Sequence, residues 1–285
     1  MTAPSIQDDL HRAVTEAESR IGLPGLKKDA DRSRFLDCLR ESSRTIEMLT
    51  RGDVDLPPGV PAPEKIFPIK EAYRLRRCDP EEAIWLAFLS THIGGDRPAS
   101  CEQLYCAFGR EPVWQWLRVR SEPGKFAQWL TSNHPRLSQA APFGNHRKFE
   151  THRPGRGTPD TIRTYLELVG SSQAEFLRNR ATGDDPFDTL YCAFAPVKRF
   201  GRTARYDLVR LLGYLDLVRV DRQAIRPGCC YLAGATGPLR GAQIVFGERP
   251  LAELEGRCRD LAASIGVGLD VMEDALCNWQ KGSQP

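Results

Sequence analysis

The sequence lacks an apolar run of the roughly 20 residues that a membrane-spanning helix needs. It also lacks a basic and apolar leader, since its first residues, MTAPSIQDDL, are polar and acidic. No internal repeat and no low-complexity tract is found. These absences predict a cytoplasmic protein without membrane contact, and they leave the oligomeric state open.

Recognisable metal-binding patterns are also missing. The nine cysteines have no repeating spacing, and the adjacent pair Cys229-Cys230 suits neither a Cys-x-x-Cys motif nor a structural zinc site. Only Cys258 and Cys277 lie near the C-terminus, too few for a four-cysteine iron–sulfur loop. The histidines are few and scattered, although His146 and His152 are close enough in sequence to join one site. We expect reduced thiols, no metal and no cofactor.

Strand patterns are scarce, whereas helix starts are well marked. Asp79-Pro80-Glu81-Glu82 supplies a capping aspartate, a proline in the first turn and a glutamate at the third position. The segment that follows is apolar nearly all round, which predicts a central buried helix ended by Gly94. In all we expect an all-α fold of about ten helices, with at most a small hairpin near residues 228–246. The main further helices are expected near residues 4–20, 29–50, 111–119, 122–132, 158–169, 186–194, 249–264 and 268–280.

A proline-rich stretch offers the best domain boundary. Residues 56–65 contain four prolines, a composition that favours an extended, semi-rigid connector. We therefore expect an N-terminal helical extension over residues 1–55 and a main domain over residues 66–285.

Positive charge is concentrated in the middle of the chain. Residues 110–226 carry 20 Lys and Arg against 12 Asp and Glu, whereas the segments on either side are net acidic. A basic surface supplies the salt-dependent part of DNA binding. A solvated surface without a partner is the alternative.

The segment 197–226 has the most informative spacing. A tight turn is expected at Phe200-Gly201-Arg202, followed by a helix with a break at Gly213, and Asp221 lies twenty residues after Gly201. Helix-hairpin-helix DNA glycosylases have a similar layout, in which the aspartate of a Val-Asp pair is catalytic. The resemblance implies a catalytic carboxylate at Asp221. It also implies DNA contacts from the hairpin residues Lys198, Arg199, Gly201 and Arg202.

The segment departs from the glycosylase pattern at two points. Lys198-Arg199 replace the Pro-Gly of the hairpin, and Thr203 stands where bifunctional glycosylases carry a Schiff-base lysine. A threonine hydroxyl forms no imine with an opened sugar, which argues against lyase chemistry. An ordinary amphipathic helix would explain the leucines of this segment, but not the glycine-to-aspartate spacing.

A second dense motif is FGNHRKFE, residues 143–150. Its Arg147-Lys148 pair suits a phosphate or pyrophosphate site, because arginine binds two oxygens at once and lysine adds a point charge. The following loop adds Arg153 and Arg156 between glycines that let the backbone approach a phosphate chain. An exposed basic loop is the alternative. The motif also supplies catalytic candidates and base-stacking aromatics: Asn145, His146, Phe143 and Phe149.

Two smaller features have weaker implications. His92, at the end of the apolar helix, is more often a hydrogen-bonded structural residue than a catalyst at such a position. Gly237-Pro238-Leu239-Arg240-Gly241 is expected to be a tight turn, in which Arg240 is a possible phosphate contact.

Four segments together resemble a narrower family. They are IWLAFLSTHIGG, FGNHRKFE, FGRTARYDLVRLLGYL and the terminal ALCNWQK, and they span roughly residues 66–281. In this order they resemble the alpha-glutamyl/putrescinyl thymine pyrophosphorylases, also described as amino acid:DNA transferases, and most closely the stand-alone bacterial clade. The resemblance implies an all-helical fold related to helix-hairpin-helix glycosylases.

The resemblance also implies the chemistry. A pyrophosphorylated 5-hydroxymethyluracil in DNA is attacked by the amine of an amino acid or polyamine, and pyrophosphate leaves. The partners are then DNA, double-stranded with a flipped base, and a small amine donor. Cations stabilise the leaving group, and Asp221 is the expected proton acceptor, in one pocket with Arg147 and Lys148. A DNA glycosylase acting on a modified base and a non-catalytic DNA-binding module stay open as alternatives.

Overall fold

A computed structural model describes residues 6–51 and 67–282. Within these ranges the chain forms fourteen α-helices, two short 3-10 helices and one pair of two-residue strands, which confirms the all-α prediction. The helices are α1 Ile6–Ile21, α2 Asp29–Arg51, α3 Phe67–Leu75, α4 Pro80–Ile93, α5 Pro98–Tyr105, α6 Trp116–Ser121, α7 Pro123–Ala140, α8 Thr158–Val169, α9 Gln173–Arg180, α10 Pro186–Ala193, α11 Arg202–Tyr214, α12 Thr236–Phe246, α13 Leu251–Ile265 and α14 Leu269–Gly282. No helix in this part of the chain is long and apolar enough to cross a bilayer.

The chain divides into two compact units, one of residues 1–48 with 226–285 and one of residues 49–225. The predicted connector, residues 56–65, lies outside the described residues. The predicted domain limits at residues 55 and 66 therefore stay a prediction.

The second unit is built around α4, as its all-apolar sequence predicts. Ile84, Trp85, Phe88 and Leu89 are buried with at most 1% exposure, and the Asp79 side chain caps the helix by accepting from the Glu82 N–H at 3.1 Å. Gly94 ends the helix with a φ of +115°. The expected helix start, centre and end are all confirmed.

One carboxylate is buried within this unit. Glu82 accepts from the Tyr105 hydroxyl and the Trp116 N–H, each at 2.7 Å. Burial raises its pKa above the ordinary value. These two bonds satisfy both oxygens of a group that would otherwise be costly to bury.

The first unit contains α12, in a segment for which the sequence analysis allowed a small hairpin. The predicted hairpin near 228–246 is wrong: the strand pair is Arg219–Val220 with Gln223–Ala224, and Thr236–Phe246 is helical. Its glycines serve close helix packing instead of a turn. A Cβ at Gly237 would lie 2.8 Å from the Cys277 sulfur, and one at Gly241 would overlap the Leu276 carbonyl on α14. Pro238 sits in the first turn, where a missing N–H costs nothing.

The final helix docks through Leu276 and Trp279, both buried as expected. The Trp279 ring meets Phe35 of α2 edge-on at 5.7 Å between ring centroids. Its indole N–H donates to the Asp31 carbonyl at 3.3 Å. The N-terminal and C-terminal helices thus share one core.

Two smaller boundaries also differ from expectation. The helix expected over 111–119 begins at Trp116, and the next continues through Pro135 to Ala140. Gly213 does not break α11, which runs to Tyr214. A Cβ on Gly213 would collide with the Ile225 carbonyl, so the glycine permits a close backbone approach instead.

Candidate functional site

The two basic loops of the second unit surround one pocket. The pocket has a volume of about 500 Å³. Three of its lining side chains are cationic, one is a carboxylate, and the others include two aromatic rings. The lining residues are Ser138, Pro142, Phe143, Lys148, Glu150, Thr151, His152, Arg153 and Arg156.

Backbone contacts fix the first loop against the end of α4. The Gly144 N–H donates to the Ile93 carbonyl at 2.8 Å, and the Asn145 N–H donates to the Asp96 carboxylate at 3.0 Å. A Cβ on Gly144 would overlap the Asp96 carboxylate, so a larger residue there would displace the side chain that accepts from the Asn145 N–H. The loop then forms a short 3-10 helix, Asn145–Arg147.

The second loop is closed at its base. The Thr158 N–H donates to the Thr151 carbonyl at 2.9 Å, and Gly157 lies so close to that carbonyl that a Cβ would overlap it. Arg153 and Arg156 are carried between these points and are exposed. Gly157 was expected from the sequence to let the backbone approach a phosphate chain. In the structure it instead closes the base of the loop.

A buried chain of three polar side chains lies behind the pocket wall. His152 Nε2 is 2.8 Å from the Ala141 carbonyl, its Nδ1 is 3.0 Å from the Thr158 hydroxyl, and His92 Nε2 is 2.9 Å from the same hydroxyl. All three side chains are at most 1% exposed. His92 is thus a buried, hydrogen-bonded residue, the reading that its sequence position favoured.

Burial also sets the protonation of both rings. The pKa of His92 is held well below its ordinary value by burial first and by the Arg147 guanidinium second, and that of His152 is lowered by burial. A carbonyl only accepts, so Nε2 of His152 carries its hydrogen and Nδ1 accepts from Thr158. Thr158 then accepts from Nε2 of His92. The Nδ1 atom of His92 bears a lone pair without a hydrogen-bond partner among the described residues.

These lowered pKa values predict a loss of stability in mild acid. Unfolding exposes both histidines to water, where they bind protons below about pH 6.5, so the free energy of unfolding falls as pH drops through that value. Each histidine changes the free energy of unfolding by at most about 1.4 kcal/mol per pH unit. Urea unfolding at pH 7.5 and 5.5 measures the slope. His92→Gln should reduce the dependence of the free energy of unfolding on pH. The control is His11→Gln, at an exposed position on α1, which should leave that dependence unchanged. Equal slopes in the parent and both variants would contradict the prediction.

Arg147 lies beneath the pocket and does not line it. It is 6% exposed, with Nε 3.3 Å from the His92 carbonyl and Nη2 3.3 Å from the Arg199 carbonyl. Burial lowers its pKa. The structure thus joins the two basic motifs found in sequence, residues 143–150 and 198–202, through a buried arginine.

Arg199 completes this junction from the other side. Its Nε is 2.7 Å from the Glu150 carboxylate and its Nη2 is 3.2 Å from the Phe149 carbonyl. Its φ is +57°, a left-handed conformation that favours glycine. A glycine would adopt this conformation without strain.

The other predicted residues lie around or away from the pocket. Phe143 stacks on His152 at 4.5 Å between ring centroids, whereas Phe149 is 82% exposed with Lys148 Nζ 5.2 Å from its ring centroid. Asn145, His146, Lys198 and Gly201 are exposed, and Arg202 is half-buried. Arg240 lies on α12 of the first unit instead of in the expected turn.

Asp221 sits at the tip of the strand pair. Asp221 and Arg222 have φ values of +51° and +68°, as in a two-residue hairpin turn, and both are exposed. Asp221 follows the C-terminal end of α11, whereas Arg199 precedes its N-terminus, and thirteen helical residues span about 20 Å. The pocket that Lys148 lines includes neither Asp221 nor Arg147. This weighs against one pocket shared by all three, and the catalytic role of Asp221 stays a prediction.

Sequence reasoning missed two features of this site. Glu150 was part of the motif but was not proposed as a functional carboxylate, and Thr158 was read only as a helix start. The FGNHRKFE motif itself was the signal for Glu150. Within the described residues no group of three or more His, Cys, Asp or Glu side chains is placed to hold a metal.

The fold and the pocket define an all-α protein with a cationic cavity suited to a polyanion. Residues 30–285 match the family described as alpha-glutamyl/putrescinyl thymine pyrophosphorylase, clade 3, and the chain belongs to this family. The family resemblance is thereby confirmed, and the match takes in most of α2, upstream of the motifs that carried it. The name of the family implies pyrophosphorylase-type chemistry in thymine hypermodification. No curated protein and no solved structure matches the chain.

Proposed function

We propose that the protein is a DNA base-modifying transferase that displaces pyrophosphate from a pyrophosphorylated 5-hydroxymethyluracil with an amine. The amine is an amino acid or a polyamine, and the reaction takes place in the cytoplasm on double-stranded DNA with a flipped base. The observation that carries the proposal is the pocket in which Lys148, Arg153 and Arg156 converge.

The cations suit the leaving group. Pyrophosphate gains negative charge as its bond to the base methylene breaks, so positioned cations lower the barrier more than they stabilise the substrate. Arginine can contact two phosphate oxygens at once, and Lys148 adds a compact charge. A pocket of about 500 Å³ accommodates a nucleobase with its pyrophosphate, since ligand cavities start near 300 Å³.

The aromatic side of the pocket suits the base. Phe143 stacks on the buried His152 ring with an interplanar angle of 24°. Because His152 donates Nε2–H to the Ala141 carbonyl, its ring is held in place and supports Phe143 from behind. A base must leave the duplex stack to reach the Phe143 ring. Phe149, exposed outside with Lys148 beside it, is placed to contact the neighbouring bases.

We assign to Glu150 the role of accepting a proton from the amine donor. It is the carboxylate among the pocket-lining residues, its side chain is 13% exposed, and Arg199 fixes its orientation. Asp221 remains the alternative acceptor. The amine donor is an ammonium at neutral pH and must lose a proton before it can attack.

The reaction is a displacement at the methylene carbon of the base. The ammonium nitrogen transfers one proton to Glu150, and the freed lone pair forms a C–N bond to the methylene carbon. The C–O bond to pyrophosphate breaks at the same carbon, and its electron pair leaves with the pyrophosphate oxygen. No oxidant or reductant is required.

A pyrophosphate-release assay tests the proposal. Duplex DNA with one pyrophosphorylated 5-hydroxymethyluracil is incubated with the protein and either putrescine or an amino acid. We expect release of one pyrophosphate per modified base and a mass gain equal to the amine adduct, with neither on unmodified duplex. Release of free base would instead support a glycosylase. Binding with no turnover for a broad panel of amines would support a non-catalytic module.

A further inference from the structure

A polar network runs beneath the pocket and returns to it, passing through side chains and through the backbone carbonyls of His92 and Arg199. It links two pocket-lining residues through four others, and each link is a hydrogen bond of 2.7–3.3 Å. In order, its members are His152, Thr158, His92, Arg147, Arg199 and Glu150. The first and last members both line the pocket, while the inner ones do not.

The network also joins three helix ends. His92 lies in the last turn of α4, Thr158 begins α8, and the Ala141 carbonyl that receives the His152 hydrogen follows the last residue of α7. A carbonyl at a helix C-terminus is a good acceptor, because it has no partner within its own helix. The position of His152 at the pocket wall therefore depends on how these helices are placed relative to one another.

We infer that this network positions the reacting groups, with Thr158 as its central positioning residue; the inference rests on the proposed function. The Ala141 carbonyl fixes the tautomer of His152, so the Thr158 hydroxyl donates to His152 Nδ1 and accepts from His92 Nε2, which fixes the tautomer of His92. A fixed His152 ring holds Phe143 in place as the wall for the base. On the other branch, Arg147 holds the Arg199 backbone carbonyl, and the Arg199 guanidinium holds the Glu150 carboxylate.

Thr158 suits a clean test because valine has nearly its shape. Thr158→Val removes the hydroxyl and leaves both histidine nitrogens without their partner, whereas Thr158→Ser keeps the hydroxyl. Arg199→Lys tests the other branch, since an ammonium keeps the charge but cannot bridge Glu150 and the Phe149 carbonyl as a guanidinium does. Circular dichroism and thermal unfolding establish that each variant is folded at the assay temperature.

Three measurements follow on the full-length protein. Nitrogen-15 spectra of the histidine rings should show fixed Nε2–H tautomers for His92 and His152 in the parent and in Thr158→Ser. In Thr158→Val, His92 should exchange between tautomers, whereas His152 keeps its hydrogen on Nε2 because the Ala141 carbonyl still accepts it. Calorimetry with inorganic pyrophosphate should show weaker binding in Thr158→Val and in Arg199→Lys, and parental binding in Thr158→Ser. The kcat of Thr158→Val should fall about 10- to 100-fold with a smaller change in KM, the scale expected for a slight misplacement of reacting groups.

A merely structural Thr158 would give a different result. Thr158→Val would then unfold at a lower temperature but match the parent in tautomers, pyrophosphate affinity and kcat at a temperature where both are folded, and this would overturn the inference. Should Thr158→Val fail to fold, parental kcat and pyrophosphate affinity in Arg199→Lys would overturn it equally. If the parent shows no turnover, the proposed function fails, but the ring spectra and pyrophosphate affinity still decide on the network.

Discussion

Replacing Arg153 and Arg156 together with alanine is expected to lower kcat/KM on the pyrophosphorylated duplex by about 100- to 1000-fold, the cost typical of losing one well-placed stabilising donor. Both side chains line the pocket from an exposed loop, so the change removes leaving-group stabilisation without disturbing the core. Steady-state kinetics of pyrophosphate release measure the effect.

The matched control is Arg178 and Arg180 on α9, which are exposed and do not line this pocket. Their replacement by alanine removes the same net charge, and should change kcat/KM only through weaker general attraction to DNA. Equal losses in the two double variants would mean that Arg153 and Arg156 contribute only to the overall charge. The pocket would then not be the pyrophosphate site.

Glu150→Gln is expected to lower kcat by about 100- to 10,000-fold, the usual contribution of a general base, while duplex binding survives. Glutamine keeps the shape and can still face Arg199, but it cannot accept the proton of the ammonium. Raising the pH should partly restore the rate, since a larger share of the amine then arrives already deprotonated.

Asp221→Asn serves as the competing test. Asp221 is at an exposed hairpin tip, so we expect its amide variant to retain a kcat within a few-fold of the parent. A collapse in Asp221→Asn together with an unchanged Glu150→Gln would reverse the assignment and restore the aspartate that the glycosylase-like spacing favoured. Fluorescence anisotropy with labelled duplex confirms that both variants still bind DNA.

The sequence was a sound guide where local chemistry decides structure. The helix start at Asp79 follows from side-chain capping together with Pro80, and the start at Thr158 follows from the proline in its first turn; both were predicted correctly. The apolar character of residues 83–93 sufficed to predict the buried core helix. Such features depend on neighbours in sequence, so they can be read without the fold.

Prediction from the sequence failed where contacts between residues distant in sequence determine the local structure. Glycine has two uses, in turns and in close helix contacts, and nothing local to Gly237 and Gly241 distinguishes them. Only the presence of Leu276 and Cys277 on α14 shows that these glycines permit close approach. The 228–246 segment was assigned to a hairpin for this reason.

The site was predictable in its parts but not in its connections. The exposed cations of 148–156 follow from composition, because a basic loop between glycines has few structural explanations. The burial of Arg147 does not, since its partners are backbone carbonyls of His92 and Arg199, more than fifty residues away in either direction. Every residue has a backbone carbonyl, so the sequence does not show which carbonyls accept from a buried arginine.

The left-handed backbone at Arg199 has a consequence for protein engineering. A residue with a Cβ loses about 1–2 kcal/mol in this conformation, a strain that glycine avoids. Arg199→Gly would relieve that strain and at the same time release Glu150 and the Phe149 carbonyl. Stability alone would therefore favour glycine here. A substitution chosen only for heat resistance would lose the contact that holds the Glu150 carboxylate, so engineering for heat resistance should leave this residue untouched.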